Sequence, residues 1–203
     1  MRLNVDGRGR RAGALGAAVA AVALLAGGCS IGGDIVSYEL PAEPDRYTLE
    51  VETDGVTTVW EYTSQRPTED SSSPLQPCLS AAVGDPQRPD CRPEPLIFLR
   101  YDLGLDLDDT VPARRPHDIT VTGYYQARLG EVPTVVRLTV EASFDGGRSW
   151  RQMLTRPAGE ANTFTARVTH PPSATGPVAL RVHAVDSDGN TVVQTIPEAY
   201  RLR

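Results

Sequence analysis

Beyond residue 45, nearly every patterned segment of the chain alternates apolar and polar residues with a period of two. The clearest segment is 135–144, where the side chains expected on one face are Val136, Leu138, Val140, Ala142 and Phe144. Successive side chains of a β-strand point to opposite faces of the sheet, so a half-buried strand shows this period. No stretch after residue 28 keeps a 3.6-residue period for three turns. The sequence therefore predicts an all-β protein.

Turn-forming residues separate the alternating segments at short intervals. Asp54 and Gly55 lie between two such segments and predict a tight hairpin, because both residue types tolerate positive φ angles. Further strands are predicted at residues 96–99, 118–125, 135–144, 149–154, 163–169, 178–185 and 191–196. Strands this short and closely spaced predict an immunoglobulin-like antiparallel β-sandwich over residues 110–203. An additional N-terminal β-hairpin region, residues 46–109, either joins that sandwich or forms a small domain before it.

The first 28 residues have the layout of a bacterial export signal. The basic residues of its start are Arg8, Arg10 and Arg11. An apolar run over residues 12–26 follows, and it is too short for a stable transmembrane helix. The run ends in Leu25-Ala26-Gly27-Gly28-Cys29, which resembles the lipobox of bacterial lipoproteins. The resemblance implies that residues 1–28 are removed and that Cys29 is acylated; an ordinary signal peptide cut nearby is the alternative.

Such an anchor implies a location on the extracytoplasmic face of the cell membrane. Residues 29–45 contain Gly, Pro and acidic residues with little periodicity and are expected to form a flexible spacer. The chain has 20 basic residues, all of them Arg, against 26 acidic ones, which gives a net charge of −6. Phosphate binding needs a concentrated basic patch, so a nucleic-acid partner is not expected.

Two further cysteines, Cys78 and Cys91, are predicted to form a disulfide, because disulfides persist outside the cytoplasm. Closing the turn-rich loop between them would stabilise the fold by about 3 kcal/mol in the chain-entropy model. A metal site is the alternative, but two cysteines with no nearby histidine make a poor set of zinc ligands.

Residues 143–150 fit the Asp-box pattern, Ser-x-Asp-x-Gly-x-Ser/Thr-Trp, known from sialidases and other β-propellers. In those families the box is a structural hairpin away from the active site. The local chemistry agrees, because Asp145 can accept hydrogen bonds from turn amides and Gly147 or its neighbour can take a positive φ. We expect Trp150 to pack on the core face beside Phe144. Asp145, Gly147 and Trp150 are therefore assigned to a structural turn.

Residue types capable of catalysis or metal binding occur without a recognisable motif. The three histidines, expected to be surface or packing residues, are His117, His170 and His183. Asp186 and Asp188 alternate as in a calcium loop, but the distant Glu and the flanking helices of an EF-hand are missing, so a hairpin turn is expected. Calcium there is a weak alternative, as it is at Asp106, Asp108 and Asp109. Neither an enzyme nor a cofactor is expected.

The segment 135–203 resembles the C-terminal region of large secreted subtilisin-like serine proteases from high-GC Gram-positive bacteria. The residues that carry the resemblance are 138–150, 168–172, 176–184, 188–195 and 199–202, with weaker similarity at 47–49 and 60–62. Such regions are accessory β-domains that follow the protease domain, and the catalytic motifs of the proteases have no counterpart here. The resemblance implies a β-architecture and a role in binding or positioning, with no catalytic residue.

These expectations combine into a membrane-anchored extracytoplasmic lipoprotein. Its β-domain is predicted to be a non-catalytic binding or adaptor module for an envelope protein or glycan, recognised through loops on a rigid scaffold. One alternative is an accessory protein related to a degenerate hydrolase, either a protease or a glycosidase. The other is a purely structural envelope lipoprotein.

Overall fold

The computed structural model describes residues 2–5, 39–69 and 90–203, and within them the all-β prediction is confirmed. The strands are β1 (Arg2–Val5), β2 (Asp45–Thr53), β3 (Val56–Ser64), β4 (Phe98–Asp102), β5 (Thr110–Val111), β6 (His117–Tyr124), β7 (Val135–Ser143), β8 (Arg151–Gln152), β9 (Leu154–Pro157), β10 (Thr163–Val168), β11 (Gly176–Asp186) and β12 (Thr191–Leu202). In the described ranges there is no helix long and apolar enough to cross a membrane.

The strands form two sheets. The larger has the order β1-β2-β3-β12-β11-β7-β8, with β5 beside β12, and the smaller has the order β4-β6-β10-β9. Neighbouring strands are antiparallel except for the short parallel pair β5·β12. From β6 onward the chain visits the two sheets in alternating pairs of strands, β7-β8, then β9-β10, then β11-β12. This arrangement is consistent with a β-sandwich, and its immunoglobulin-like topology stays a prediction.

The first hairpin forms where the sequence predicts it. Asp54 and Gly55 have φ angles of 51° and 79°, and positive values at both central positions are those of a type I′ hairpin turn. β3 then pairs with β12, so the hairpin extends the larger sheet. β4, which also precedes residue 110, pairs with β6 in the smaller sheet. Strands of the 46–109 region therefore lie in both sheets.

One hydrophobic cluster joins the inner faces of the sheets. The largest of its fully buried side chains are Tyr47, Tyr62, Ile97, Ile119 and Leu180. Burial of each large apolar side chain contributes about 1.5–3 kcal/mol. The indole N–H of Trp60 donates to the carbonyl of Ile97 at 2.8 Å, so the polar atom of this large core side chain is also satisfied.

The end of the predicted spacer belongs to the folded domain. Leu40 is buried in the hydrophobic cluster, and Arg66 donates its backbone N–H to the carbonyl of Pro41 at 2.7 Å. A second bond runs from Arg66 Nε to the carbonyl of Leu40 at 3.1 Å. The composition of residues 29–45 is typical of a linker, but Leu40 is buried in the core.

Two strand predictions differ from the structure in detail. Val136 is 60% exposed, whereas Val135 is 4% exposed and faces the core. The pairing of β7 with β11 shifts register at this point and leaves Val136 as the extra residue of a β-bulge. The segment 149–154 is also divided: β8 pairs with β7 in the larger sheet, and β9 pairs with β10 in the smaller one.

The backbone of β1 pairs antiparallel with β2, with Arg2 opposite Glu50 and Val5 opposite Tyr47. These residues belong to the predicted export signal. Its removal would take β1 away and leave β2 as the edge of the larger sheet. Residues 6–38, with the apolar run and the predicted lipid-attachment residue Cys29, lie outside the described residues, as does Cys78.

Candidate functional site

The turn from Ser143 to Trp150 is organised by one carboxylate. Asp145 Oδ1 accepts hydrogen bonds from Ser143 Oγ at 2.8 Å and from the backbone N–H of Ser149 at 2.9 Å. Asp145 Oδ2 accepts a third bond, from Ser149 Oγ at 2.6 Å. Gly147 donates its N–H to Ser143 Oγ and has a φ of 83°. The hydrogen bonds of Asp145 and the positive φ of the glycine agree with the predicted structural turn.

These hydrogen bonds keep Asp145 ionised. The hydroxyl and the backbone N–H of Ser149, together with the Ser143 hydroxyl, lower the pKa of the Asp145 carboxyl to about 2. Hydrogen bonds to a carboxylate favour its charged form. Asp145 is exposed, and a carboxylate offers about four acceptor positions. Since three bonds are made within the turn, Oδ2 retains room for another donor.

Trp150 does not lie where the sequence analysis expects it. Its indole is half-buried, and the guanidinium of Arg181 lies over the ring at 4.5 Å from its centroid. Arg181 alternates with the buried Leu180 and Val182 and therefore points to the outer face of the larger sheet. Trp150 thus covers the outer face, while Phe144 packs edge-on against His170 on the other side. The chain reverses within the turn, so sequence proximity does not place these two rings together.

A shallow cleft of about 170 Å³ lies beside this turn. It is lined by Phe144, Asp145, Ser149, Arg151, Pro171, Ser173 and Ala174. The first four residues come from the turn and β8, and the last three from the loop between β10 and β11. We call this feature the turn cleft.

The turn cleft is lined by a cation as well as by the Asp145 carboxylate. Arg151 is exposed, and within the described part of the chain its guanidinium has no hydrogen-bond or ion-pair partner. Arg167 and Arg181 differ, because their side chains face Asp118 at 3.8 Å and Glu141 at 2.7 Å. The cleft therefore combines an acceptor-only group and a donor-only group, each with capacity left for a ligand.

His170 fixes the loop that forms one wall of the cleft. It is 5% exposed; its Nδ1 lies 3.1 Å from the carbonyl of Arg115 and its Nε2 lies 2.9 Å from the hydroxyl of Tyr200. A carbonyl only accepts, so Nδ1 carries the proton and the neutral ring accepts from Tyr200 at Nε2. Burial lowers the pKa of His170, and the nearby His117 lowers it further, against the opposing bond to Arg115. His170 is thus a packing residue, as predicted.

The other two histidines, His117 and His183, also lie against neighbouring residues of the fold. His117 Nε2 lies 2.6 Å from the carbonyl of Leu103, so this nitrogen donates, and the ring stacks on His170 with centroids 6.4 Å apart. His183 is half-buried on the outer face of β11. Burial lowers the pKa of His183, and Arg137 adds to the effect.

The weak calcium candidate Asp186 is the centre of a second turn. Its Oδ1 accepts the backbone N–H groups of Asp188 and Asn190 at 2.9 and 2.8 Å. Its Oδ2 accepts Asn190 Nδ2 at 3.0 Å and the hydroxyl of Tyr125 at 3.1 Å. Asp188 is exposed and makes a separate contact with Ser187. This geometry fits the predicted hairpin turn between β11 and β12.

The other candidate acids do not converge on one point. Asp106 pairs with Arg203, Asp108 accepts from the Thr110 hydroxyl at 2.7 Å, and Asp109 uses its backbone carbonyl to accept from Arg201. Within the described residues no group of three or more His, Cys, Asp or Glu side chains is arranged to hold a metal. Cys91 is half-buried; its predicted partner lies outside the described residues, so the disulfide stays a prediction.

The sequence indicates the Asp145 side of the turn cleft but not the residues that complete it. The pattern over residues 143–150 marks Asp145, but Arg151 looks like an ordinary strand residue. Ser173 lies 28 positions from Asp145 in sequence and reaches the cleft only because β10 and β11 belong to different sheets. A Pro-Pro pair at 171–172 signals a turn there, without indicating what that turn contacts.

Comparisons with known proteins do not place the chain in a family. No protein-family model, no curated protein and no solved structure matches it at a significant level. The resemblance of residues 135–203 to protease accessory domains therefore stays a prediction.

Proposed function

We propose that this chain is a membrane-anchored extracytoplasmic lipoprotein whose β-domain is a non-catalytic binding module for an envelope protein or glycan. The turn cleft supports the proposal, because Asp145, on a turn fixed by its own hydrogen bonds, and Arg151, at the start of β8, line the same cleft with hydrogen-bonding capacity left unused. Recognition residues are commonly carried by loops on a rigid scaffold. A site held in this way loses little conformational freedom on binding.

The anchor is the part of the proposal that rests on the lipobox resemblance. A single acyl chain gives only marginal membrane binding, so retention relies on the several chains of a bacterial lipoprotein. Cys29→Ser should release the protein from the membrane fraction or leave it uncut, whereas the neighbouring change Ser30→Ala should alter neither. A wild-type protein that dissolves without detergent would contradict the anchor.

The binding role is tested by crosslinking in intact cells. We expect one recurrent envelope partner for the wild type and its loss in Arg151→Gln, which removes the free cation of the turn cleft. Arg156→Gln is the matched control, because Arg156 lies on β9, away from this cleft, and is also exposed. A wild type that crosslinks to no recurrent partner would favour a purely structural lipoprotein.

The hydrolase alternative needs a separate assay. The purified protein is screened on peptide, ester and glycoside substrates, and we expect no turnover. Turnover that one substitution abolishes, while the melting temperature stays unchanged, would refute the non-catalytic proposal.

A further inference from the structure

We infer that the turn cleft binds the terminal neutral sugar residue of an envelope glycan. This inference rests on the proposed binding function and gives its ligand a chemical class. It follows from the charges, the mixed polar and apolar lining and the size of the cleft.

The charges of the cleft favour a neutral ligand. Asp145 stays ionised because the Ser149 and Ser143 hydrogen bonds hold its pKa near 2, and Arg151 is always a cation. An anionic ligand would be attracted by Arg151 and repelled by Asp145, and a cationic ligand would meet the reverse. A ligand without net charge avoids both repulsions.

The two polar side chains demand complementary groups from the ligand. A carboxylate accepts hydrogen bonds and a guanidinium donates them. A hydroxyl group does both, so two neighbouring hydroxyls of a sugar ring can donate to Asp145 and accept from Arg151. Ser173, which also lines the cleft, adds a hydroxyl that can donate or accept.

The remaining lining suits the carbon face of a sugar ring. Phe144, Pro171 and Ala174 provide the smaller, apolar part of the lining. The cleft is otherwise mostly polar, which suits a ligand rich in hydroxyl groups. Pockets for drug-sized ligands occupy roughly 300–1,000 Å³. A cleft of about 170 Å³ is smaller. It therefore fits one ring at the end of a glycan rather than a long segment.

A protein partner fits this cleft less well. Stable protein–protein interfaces bury roughly 1,200–2,000 Å² in total and have an apolar centre. The turn cleft is a small concave feature whose lining includes a carboxylate and a guanidinium. The observations therefore favour a glycan end, and protein binding becomes an outcome of the test.

The test uses the mature lipoprotein in detergent and saturation-transfer NMR. The probes are the methyl glycosides of glucose, galactose and mannose, glucuronic acid, and a short peptide with a free carboxyl end. We expect transfer to at least one methyl glycoside, and weaker or no transfer to glucuronic acid and the peptide. Preference for either charged probe, or transfer to no sugar at all, would overturn the inference.

Variants localise the binding. Arg151→Gln should weaken the affinity for the bound glycoside roughly 10–100-fold, as expected for loss of a hydrogen bond to a charged group. Ser173→Leu should abolish binding by filling the cleft, and Arg156→Gln should leave it unchanged, all three with wild-type melting temperatures. Glycoside binding that survives both cleft variants would refute the site.

The outcome also separates this inference from the broader proposal. If no sugar binds but crosslinking yields a protein partner that Arg151→Gln loses, the binding module stands and the glycan inference fails. If no sugar binds and crosslinking yields no recurrent partner, both fail together.

Discussion

Two turns of the larger sheet use the same local chemistry and have opposite exposures. Asp145 and Asp186 each accept a backbone N–H and a side-chain donor from residues up to four positions later. Asp186, however, is 2% exposed and also accepts from Tyr125, whereas Asp145 is exposed beside the unpartnered Arg151. The local pattern builds the turn in both cases. The surrounding elements decide whether the carboxylate serves the fold alone or stays accessible to a ligand.

The buried turn also joins distant parts of the sheet. Asn190 Nδ2 donates to Asp186, and its Oδ1 accepts the backbone N–H of Thr63 at 3.0 Å. Thr63 belongs to β3, so the second turn fastens the N-terminal hairpin to the β11–β12 hairpin. Within the part of the chain that the structure describes, the first turn has no comparable link, because its side-chain hydrogen bonds stay within residues 143–149.

The largest effect is expected for Asp186→Ala. The change removes the acceptor for Tyr125 and for three N–H groups, two of them on Asn190. Leaving buried donors unpaired should lower the free energy of unfolding by about 3 kcal/mol, measured by chemical denaturation. The exposed Asp188 is the matched control, and Asp188→Ala should cost less than about 0.5 kcal/mol. Equal losses in the two variants would mean that the buried hydrogen bonds of Asp186 are not the source of its effect.

A smaller effect is expected for Trp150→Ala. Because the indole is half-buried against Arg181 rather than inserted in the core, the loss should be about 2 kcal/mol, from partial burial and the cation–π contact. A double-mutant cycle of Trp150→Ala with Arg181→Met should give a coupling of about 0.5–1 kcal/mol. A loss of roughly 3–5 kcal/mol is the range for large core side chains and would instead show that the Trp150 indole is buried in the core.

Acidification should next weaken the packing beneath the turn cleft. Burial lowers the folded-state pKa of His170 below its usual 6.5. The stability that the neutral ring contributes is therefore fully present above pH 6.5. Below pH 6.5 the unfolded chain binds the proton first, so the free energy of unfolding falls as the pH decreases towards the folded pKa. Denaturation curves between pH 7.5 and 4.5 should show this loss, and His170→Gln should flatten it. An equally steep loss in the variant would assign the effect to another group.

The smallest effect is expected for Asp145, whose hydrogen bonds are exposed. Its folded pKa is lowered from 3.8 to about 2, so its stabilising contribution is present above pH 3.8 and is lost as the pH falls towards 2. Thermal melts of the wild type and Asp145→Asn should differ slightly at pH 7 and converge near pH 2. Melting curves that remain separated at pH 2 would mean that the carboxylate charge is not what stabilises the turn.

Sequence reasoning predicted most strands because the signals it used are local. The alternation in β2 and β3 marks Leu49 and Trp60 as buried, and Asp54-Gly55 marks the turn between them. The same alternation places Val136 on the core face, which is wrong, because the bulge that exposes Val136 depends on how β7 pairs with β11. A register shift belongs to two strands together, and neither strand's sequence contains it.

The sequence by itself determined that this chain is all-β, where its main hairpin turns, and that Asp145 and Asp186 each organise a turn. These features follow from the backbone period and from hydrogen bonds between residues close in sequence. Only the tertiary structure decided that Asp186 accepts a hydrogen bond from Tyr125, that Trp150 lies on the outer face, and that Ser173 and Asp145 line the same cleft. Each of these contacts joins residues on different strands or loops, so it exists only once the two sheets have packed.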